Sequence, residues 1–122
     1  MKDLFIRYLR SEGITFSIVS NTLLTFQYSR INFLFEYNIE DPSFFRLIVP
    51  NIDNEDTITE EIRERVCVIS ASYKVGKCLI VNNNQVWLTA EAFLFSKENI
   101  APMFQRMITL LCQMLEDYRS HE

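Results

Sequence analysis

The stretch NNNQVWLTAEAFLFS, residues 82–96, contains a turn, a strand and the approach to a helix. Its asparagine run tolerates the positive φ angles that a tight hairpin turn requires. Alternation along the strand puts small and aliphatic side chains on one face, and Trp87, Phe93 and Phe95 with Glu91 on the other. The run KCLIV precedes the turn, so the stretch predicts a β-hairpin with one face of large apolar groups among charges.

The chain before this hairpin changes its hydrophobic period twice. Leu4, Phe5, Tyr8 and Leu9 share one helical face, and Gly13 ends that pattern. A period of two follows, which predicts four antiparallel strands in series, a meander. These strands are expected at residues 14–18, 22–28, 31–39 and 44–49. Along residues 31–39, alternation predicts one buried face, formed by Ile31, Phe33, Phe35, Tyr37 and Ile39.

A second helix is predicted between the meander and the hairpin. Thr57 and Glu60 have the spacing of a capping box, which predicts a helix start near Ile58. Gly76 marks the expected end. The apolar residues between them form one continuous stripe. These residues are Ile58, Ile62, Val66, Ile69 and Tyr73.

A third, long helix closes the chain. Pro102 lacks an amide proton and therefore belongs in the first turn, which favours Asn99 over Ser96 as the N-cap. Its stripe includes Met103, Met107 and Met114; at helical spacing this indicates core packing, with an adaptable binding surface as the alternative. The fold class is therefore α+β, an antiparallel sheet with helices packed on it and the element order α-β-β-β-β-α-β-β-α.

Length and composition limit the organisation and the partners. At 122 residues and 48% hydrophobic content, we expect one core and one domain over residues 1–122. A net charge of -4 disfavours nucleic acid and anionic membranes as partners. No apolar run approaches the roughly 18 residues of a membrane span, and no signal peptide is expected because Arg7 and Arg10 interrupt the N-terminal apolar residues. Cys67, Cys78 and Cys112 are odd in number and widely spaced, which favours free thiols and a cytoplasmic location.

The segments LFIRYLRSEGITF and KVGKCLIVNNNQVWLTAEAFL, followed by a long amphipathic helix, give the chain a family resemblance. In pattern and element order it resembles the bacterial YbjN family, which is similar in fold to the type III secretion chaperones. The resemblance covers nearly the whole chain. It implies an α+β domain, frequently a homodimer, that binds protein segments without catalysis; the YbjN name also implies a sensory or regulatory role.

The residue types that carry catalysis or bind metals lack the required context. His121 lies in a charged terminal tail, where a general base would lack fixed geometry. The three cysteines are expected to be inert apolar residues, without the close pairing of metal or redox sites. A calcium loop starting at Asp53 fails at its sixth position, where Ile58 replaces the required glycine. Glu60 and Glu64 lie beside arginines on what reads as a solvated face. We therefore expect no enzyme activity, no metal and no cofactor.

The sheet face opposite the small residues of the hairpin is the candidate interaction surface. Mixed with Asn32, Glu36 and Arg46, it should carry several large apolar groups, as peptide-binding and dimer surfaces do. Two alternatives remain open, because either the central helix covers this face within the monomer or a partner covers it. The candidate interaction residues are Trp87, Phe93, Phe95, Leu34, Phe44 and Ile48.

The expected function is noncovalent protein binding. In this interpretation a homodimer captures a protein partner or an extended segment in a chaperone-like manner on the sheet face. The alternative is a bacterial regulatory or sensory-transduction module of the YbjN type without chaperone activity. An enzyme of unknown type is the more distant alternative.

Overall fold

The structure is a computed structural model that describes residues 2–53, 55–82, 84–94 and 96–120. Its helices and strands follow the predicted order and confirm the α+β class. They are α1 (Lys2–Ser11), β1 (Phe16–Ser20), β2 (Leu23–Tyr28), β3 (Ile31–Tyr37), β4 (Phe44–Val49), α2 (Glu60–Ser72), β5 (Gly76–Val81), β6 (Gln85–Phe93) and α3 (Ile100–Ser120), with a 3₁₀ turn at Lys97–Asn99 before α3.

The six strands form one antiparallel sheet in the order β1-β2-β3-β4-β6-β5. The first four strands are the predicted meander, and β6 returns beside β4, so β5 becomes an edge strand. In this register Phe35 lies opposite Leu47, and Leu47 lies opposite Ala90. Because side chains alternate along each strand, these three residues share one face across the centre of the sheet.

All three helices pack on that face. Phe5 of α1 stacks on Phe35, with 3.7 Å between ring centroids, and Phe104 of α3 meets Phe5 edge-on at 4.8 Å. Ile62 and Ile69 of α2 belong to the same buried cluster. Each fully buried side chain of this size contributes about 2 kcal/mol through the hydrophobic effect. The aromatic rings therefore join two helices to the sheet in one core.

The sequence pattern predicted the end of α1 correctly but extended β3 too far. Gly13 has a φ of 71°, and its amide donates to the Arg10 carbonyl while that of Ile14 donates to the Leu9 carbonyl. This pair of bonds is a Schellman motif, and Gly13 ends the helix as predicted. The expected burial of Ile39 was wrong. It lies beyond β3, which ends at Tyr37, and its side chain is 66% exposed.

The predicted start of α2 was also wrong. The helix begins at Glu60, and its N-cap is Thr59, whose hydroxyl accepts from the amide of Ile62 at 3.2 Å. Thr57 and Ile58 lie before the helix, so the Thr57–Glu60 pair forms no capping box. Both threonines fit the capping preference, and the local spacing could not discriminate between them.

The predicted end of α2 at Gly76 was wrong as well, since the helix ends at Ser72 and Gly76 begins β5. Close packing favours glycine there, because a Cβ at this position would overlap Sδ of Met114 on α3 unless that side chain shifted. The positive φ that glycine would tolerate best falls instead on Val75, at 73°.

Helix α2 closes the β5 edge of the sheet. The Ser70 hydroxyl donates to the Cys78 carbonyl at 2.7 Å and accepts from the Cys78 amide at 2.9 Å. These backbone groups face away from β6, where another strand would otherwise pair. In α3, Pro102 lies in the first turn, as predicted. The preference for Asn99 over Ser96 as the N-cap was wrong, because Asn99 belongs to the 3₁₀ turn that runs directly into α3 and Ser96 is the N-cap of that turn. Among the described residues, no helix has the length and apolar character needed to cross a bilayer.

A buried carboxylate connects the loop after β4 to two helices. Asp53 is 8% exposed and accepts a 2.6 Å hydrogen bond from the Tyr118 hydroxyl of α3. Arg65 of α2 lies 3.4 Å from the same carboxylate oxygen, with its guanidinium over the Tyr118 ring. The second carboxylate oxygen accepts from the amide of Glu55. Burial, and then the hydrogen bond to Asp53, raise the pKa of Tyr118, so its hydroxyl remains a donor at neutral pH.

We expect Tyr118→Phe to lower the free energy of unfolding by about 2 kcal/mol, because Asp53 would lose a hydrogen bond to its buried charge. Chemical denaturation at pH 7 measures this loss. Tyr28→Phe is the matched control, since Tyr28 is 42% exposed, and it should change the stability by less than about 0.5 kcal/mol. Equal effects of the two substitutions would contradict the structural role of the Asp53 contact.

Candidate functional site

The candidate interaction surface lies on the sheet face opposite the helices, which we call the outer face. The buried residues of α2 belong to the core cluster on the helix-covered face, together with Cys78 and Leu88. Trp87 and Phe93 lie outside that cluster, and Phe93 is 52% exposed. The first of the two open alternatives is therefore wrong, because the central helix leaves the outer face uncovered. Its stripe is used instead against β5 and α3.

The β4 and β6 strands bring two aromatic residues together at one end of the outer face. Phe44 lies opposite Phe93 in the register, and their ring centroids are 5.5 Å apart at 59°. Phe44 is half-buried, whereas Phe93 is more than half exposed. A tilted pair of this kind gains from ring-edge attraction while leaving apolar area open to solvent.

Trp87 lies nearer the other end of β6. Its indole Nε1 donates to the side-chain oxygen of Gln85 at 2.8 Å, which orients the ring along the strand. Across the β5–β6 ladder Trp87 faces Leu79. The sequence analysis did not include Leu79, because residues 78–81 are all apolar and show no alternation. Only the register assigns Leu79 to the outer face.

Leu34 and Ile48 occupy the centre of the outer face, where they are opposite each other in β3 and β4. Leu34 is half-buried, but Ile48 is only 1% exposed and stands outside the helix-covered core. Neighbouring side chains of the same face must therefore shield Ile48. It supports the surface from below, and a partner would touch the residues around it. Phe95, the remaining residue predicted for this surface, lies outside the described residues, as does His121.

A row of three charges crosses the outer face between the aromatic pair and the central aliphatic residues. Arg46 donates to Glu36 at 2.6 Å and lies 3.8 Å from Glu91 on the opposite side. About a third of each side chain is exposed, so these ion pairs contribute little stability, about 0.5 kcal/mol each. The row carries one more negative than positive group and therefore favours partners with a compensating cation.

Two buried polar atoms near this row have no hydrogen-bond partner within the described chain. They are Nε of Arg46 and the hydroxyl of Thr89, which is 0% exposed. By register, Thr89 lies opposite Ile48 and diagonal to Arg46. A buried polar group without a hydrogen-bond partner costs about 1–3 kcal/mol. The centre of the outer face therefore contains two polar groups whose hydrogen-bonding capacity is unused within the described chain.

A shallow depression of about 380 Å³ continues the outer face toward β1. Its polar residues on the outer side include Thr25, Gln27 and Asn32, and Gln27 donates to Asn32 at 3.2 Å. Leu34 adjoins it. An extended chain crossing the sheet from the Phe44–Phe93 pair would thus meet apolar groups, then charges, then amide groups able to hydrogen-bond its backbone.

Nucleophilic and metal-binding chemistry finds no built site elsewhere in the described chain. Cys67 is exposed on α2, Cys78 is buried in β5 and Cys112 is half-buried on α3; all three are free. Burial raises the pKa of Cys112, and burial followed by the nearby Cys67 raises that of Cys78 to about 12. Such thiols are poor nucleophiles at neutral pH. Within the described residues, no three His, Cys, Asp or Glu side chains converge as metal ligands would.

The buried thiol makes stability depend on alkaline pH. Because the folded-state pKa of Cys78 is about 12, above the ordinary 9.0, its contribution is complete below pH 9 and is lost as the pH rises toward 12. We expect this component to cost the wild type about 1 kcal/mol between pH 8 and pH 10. Cys78→Ala should lack the component. Denaturation under reducing conditions at both pH values measures it. Cys67→Ala should retain most of the component, because burial is the larger cause of the raised pKa of Cys78. Identical pH slopes for the Cys78→Ala variant and the wild type would contradict the assignment.

Neither a protein-family model nor a curated protein matches this chain. Among solved structures, the chain is similar to an uncharacterized protein from Methanothermobacter thermautotrophicus, with a TM-score of 0.64 and 11% sequence identity. The superposition covers 98% of this chain and 96% of the archaeal one. At this identity the similarity shows a shared fold over essentially the whole length of both chains.

Proposed function

We propose that the protein is a non-enzymatic binding module that captures a protein partner, or an extended segment of one, on the outer face of its sheet. One observation carries the proposal. Phe93 is 52% exposed and in ring contact with Phe44, on a sheet face that is left open by every helix in the described chain. A large exposed aromatic residue with apolar neighbours typically marks an interaction site.

The arrangement of the outer face supports an extended partner. Its affinity would come from side chains seated against Trp87 and Phe93, since buried aromatic residues dominate interface energetics. The Glu36–Arg46–Glu91 row would supply selectivity through charge, because exposed ion pairs contribute more to specificity than to affinity. The chaperone-like character of the proposal rests on the resemblance to the YbjN and secretion-chaperone fold.

A homodimer and a cytoplasmic location belong to the same proposal. The outer face presents the same residues in every copy, so it suits an isologous two-fold contact as well as a foreign segment. Three free cysteines, one of them exposed, fit a reducing compartment. A regulatory role would use the same surface with a folded partner, and the identity of the captured protein separates the two roles.

We expect Phe93→Asp and Trp87→Ala each to reduce partner recovery about tenfold or more, because they remove apolar contacts from the outer face. Recovery is measured by affinity capture from a lysate of the source organism, followed by mass spectrometry. Ile39→Asp is the matched control, since Ile39 is 66% exposed but lies beyond the sheet, and it should leave recovery unchanged. Recovery that is the same for all four proteins would contradict the proposal.

The single tryptophan of the chain gives a direct optical readout. Trp87 should show a blue-shifted emission maximum when a purified partner covers the outer face, because its indole moves into a less polar environment. An unchanged spectrum on saturation with the partner would place the interaction elsewhere on the molecule.

Light scattering tests the homodimer. We expect the wild type to have twice the 14.5 kDa mass of the chain and Phe93→Asp to be monomeric, because a charge in a two-fold contact is introduced in both copies. A wild type that remains monomeric at high concentration would contradict the dimer and leave the partner-capture proposal to the preceding tests.

A further inference from the structure

A second apolar surface lies on the helix side of the sheet, where the connection from α2 to β5 meets the start of α3. It is a shallow groove of about 610 Å³. Ala92 of β6 contributes to its wall, whereas the next residue, Phe93, faces the opposite side of the sheet. The groove is therefore separate from the outer face. Its lining residues are Val75, Ala92, Asn99, Pro102, Met103, Arg106 and Met107.

Val75 stands at the rim of this groove in a strained backbone conformation. The amide of Gly76 donates to the carbonyl of Lys74 at 2.8 Å, closing a three-residue turn around Val75 with a φ of 73°. A β-branched residue is disfavoured in this region, and the turn costs about 1–3 kcal/mol. Even so, the Val75 side chain is 66% exposed. The strained conformation therefore leaves the Val75 side chain exposed to solvent, and no burial in the core compensates for its cost.

The two flanking elements hold this turn in place. The Tyr73 hydroxyl, just before the turn, donates to Asp117 of α3 at 3.0 Å. Just after it, Gly76 packs so closely on Met114 that an added Cβ would displace the methionine side chain. With both ends fastened to α3, Val75 has little freedom to relax into an ordinary conformation.

Methionine side chains from α3 form much of the floor. Met107 is buried and Met103, one helical turn earlier, is half-buried. Their flexible thioethers adapt to apolar side chains of different shape. Met114, the third methionine of the stripe, is fully buried in the core. The stripe thus divides into core packing at its C-terminal end and an adaptable surface at its N-terminal end.

Arg106 gives the groove its charge. Across the described residues, its guanidinium forms no ion pair and no hydrogen bond with another side chain. Lys74 directly precedes Val75 in the chain. Two acids adjoin lining residues in the chain: Glu91, which pairs with Arg46 on the outer face, and Glu98, which accepts from the Ser96 hydroxyl. In a chain with a net charge of -4, this apolar groove therefore carries a cation, Arg106, that has no ion-pair partner among the described residues.

We propose that the groove docks an acidic amphipathic segment of a partner protein. An apolar side chain of that segment would rest on Val75 and Met103, and a neighbouring carboxylate would pair with Arg106 in a two-pronged hydrogen bond. Charge complementarity selects this occupant, because a basic segment would be repelled by Arg106 and a neutral one would leave the guanidinium without a partner. The proposal is independent of binding at the outer face.

The test uses short fluorescein-labelled peptides with blocked ends, in which leucine pairs alternate with glutamate, glutamine or lysine pairs. Fluorescence anisotropy should show binding in the order glutamate, then glutamine, then lysine. Arg106→Glu should weaken the glutamate peptide about tenfold or more and strengthen the lysine peptide. Arg63→Glu, on the exposed side of α2, is the matched charge control and should leave the glutamate peptide's affinity within about twofold.

Val75→Gly separates display from stability. Glycine relieves the strained φ, so this variant should unfold at a higher temperature than the wild type while binding the glutamate peptide more weakly. If the unfolding temperature and the affinity for the glutamate peptide both decrease, Val75 contributes to folding, and its proposed role as an exposed apolar contact for the partner is wrong. If the wild type binds the glutamate, glutamine and lysine peptides with equal affinity, or if Arg106→Glu leaves the affinity for the glutamate peptide unchanged, the proposal of an acidic occupant is overturned.

The emission of Trp87 distinguishes the two surfaces. It should not shift when the glutamate peptide saturates the protein, because Trp87 lies on the opposite face of the sheet. A shift would assign the peptide to the outer face and overturn the groove proposal without affecting the proposed function. Self-association at the groove would protect the Val75 amide from hydrogen exchange and the Met103 thioether from oxidation as the protein concentration rises. Such protection in the wild type would overturn the proposal in favour of a second copy as the occupant.

Discussion

The structure depends on burial that is confined to one side of the sheet. Phe5, Phe35 and Phe104 meet at ring distances of 3.7 and 4.8 Å, which brings α1 and α3 onto the same face. Helix α2 joins them beside β5, where Ser70 satisfies the edge backbone of Cys78. With every helix of the described chain on that side, the other face must meet solvent or a partner. The proposed binding function follows from this asymmetry more than from any one residue.

Contacts with α3 also explain why two surfaces differ in character. The outer face is a broad sheet surface whose aromatic residues flank a row of three charges with one negative charge in excess, and it suits an extended chain or a second sheet. The groove is shallow and basic, and it exists because Gly76 and Tyr73 pack against α3 on either side of a strained Val75. One chain with two dissimilar surfaces can hold a partner at two points, which increases avidity without requiring tight binding at either.

Sequence patterns predicted the fold well where they report long, regular burial. The strands were recognised because alternation in residues such as Phe33 and Phe35 persists over a whole element. The errors lie at element ends, where one hydrogen bond decides the outcome. Thr59 and Thr57 are equally good N-caps by residue type, and only the position of Ile62 against the core selects Thr59. Alternation placed five of the interaction residues on the correct face. It could not predict that Ile48 is buried, because its shielding by neighbouring strands depends on their register.

By itself, the sequence determined the α+β class, the order of the elements and which residues of each strand share a face. Hydrophobic periodicity and turn-forming residues act over only a few positions, so local sequence is enough to reveal them. Tertiary structure alone decided which side the central helix covers, which register brings Phe44 to Phe93, and why close packing favours glycine at position 76. Those outcomes depend on distances between segments remote in the chain. The groove at Val75 was equally beyond local reasoning, since its walls come from three elements that meet only after the core has formed.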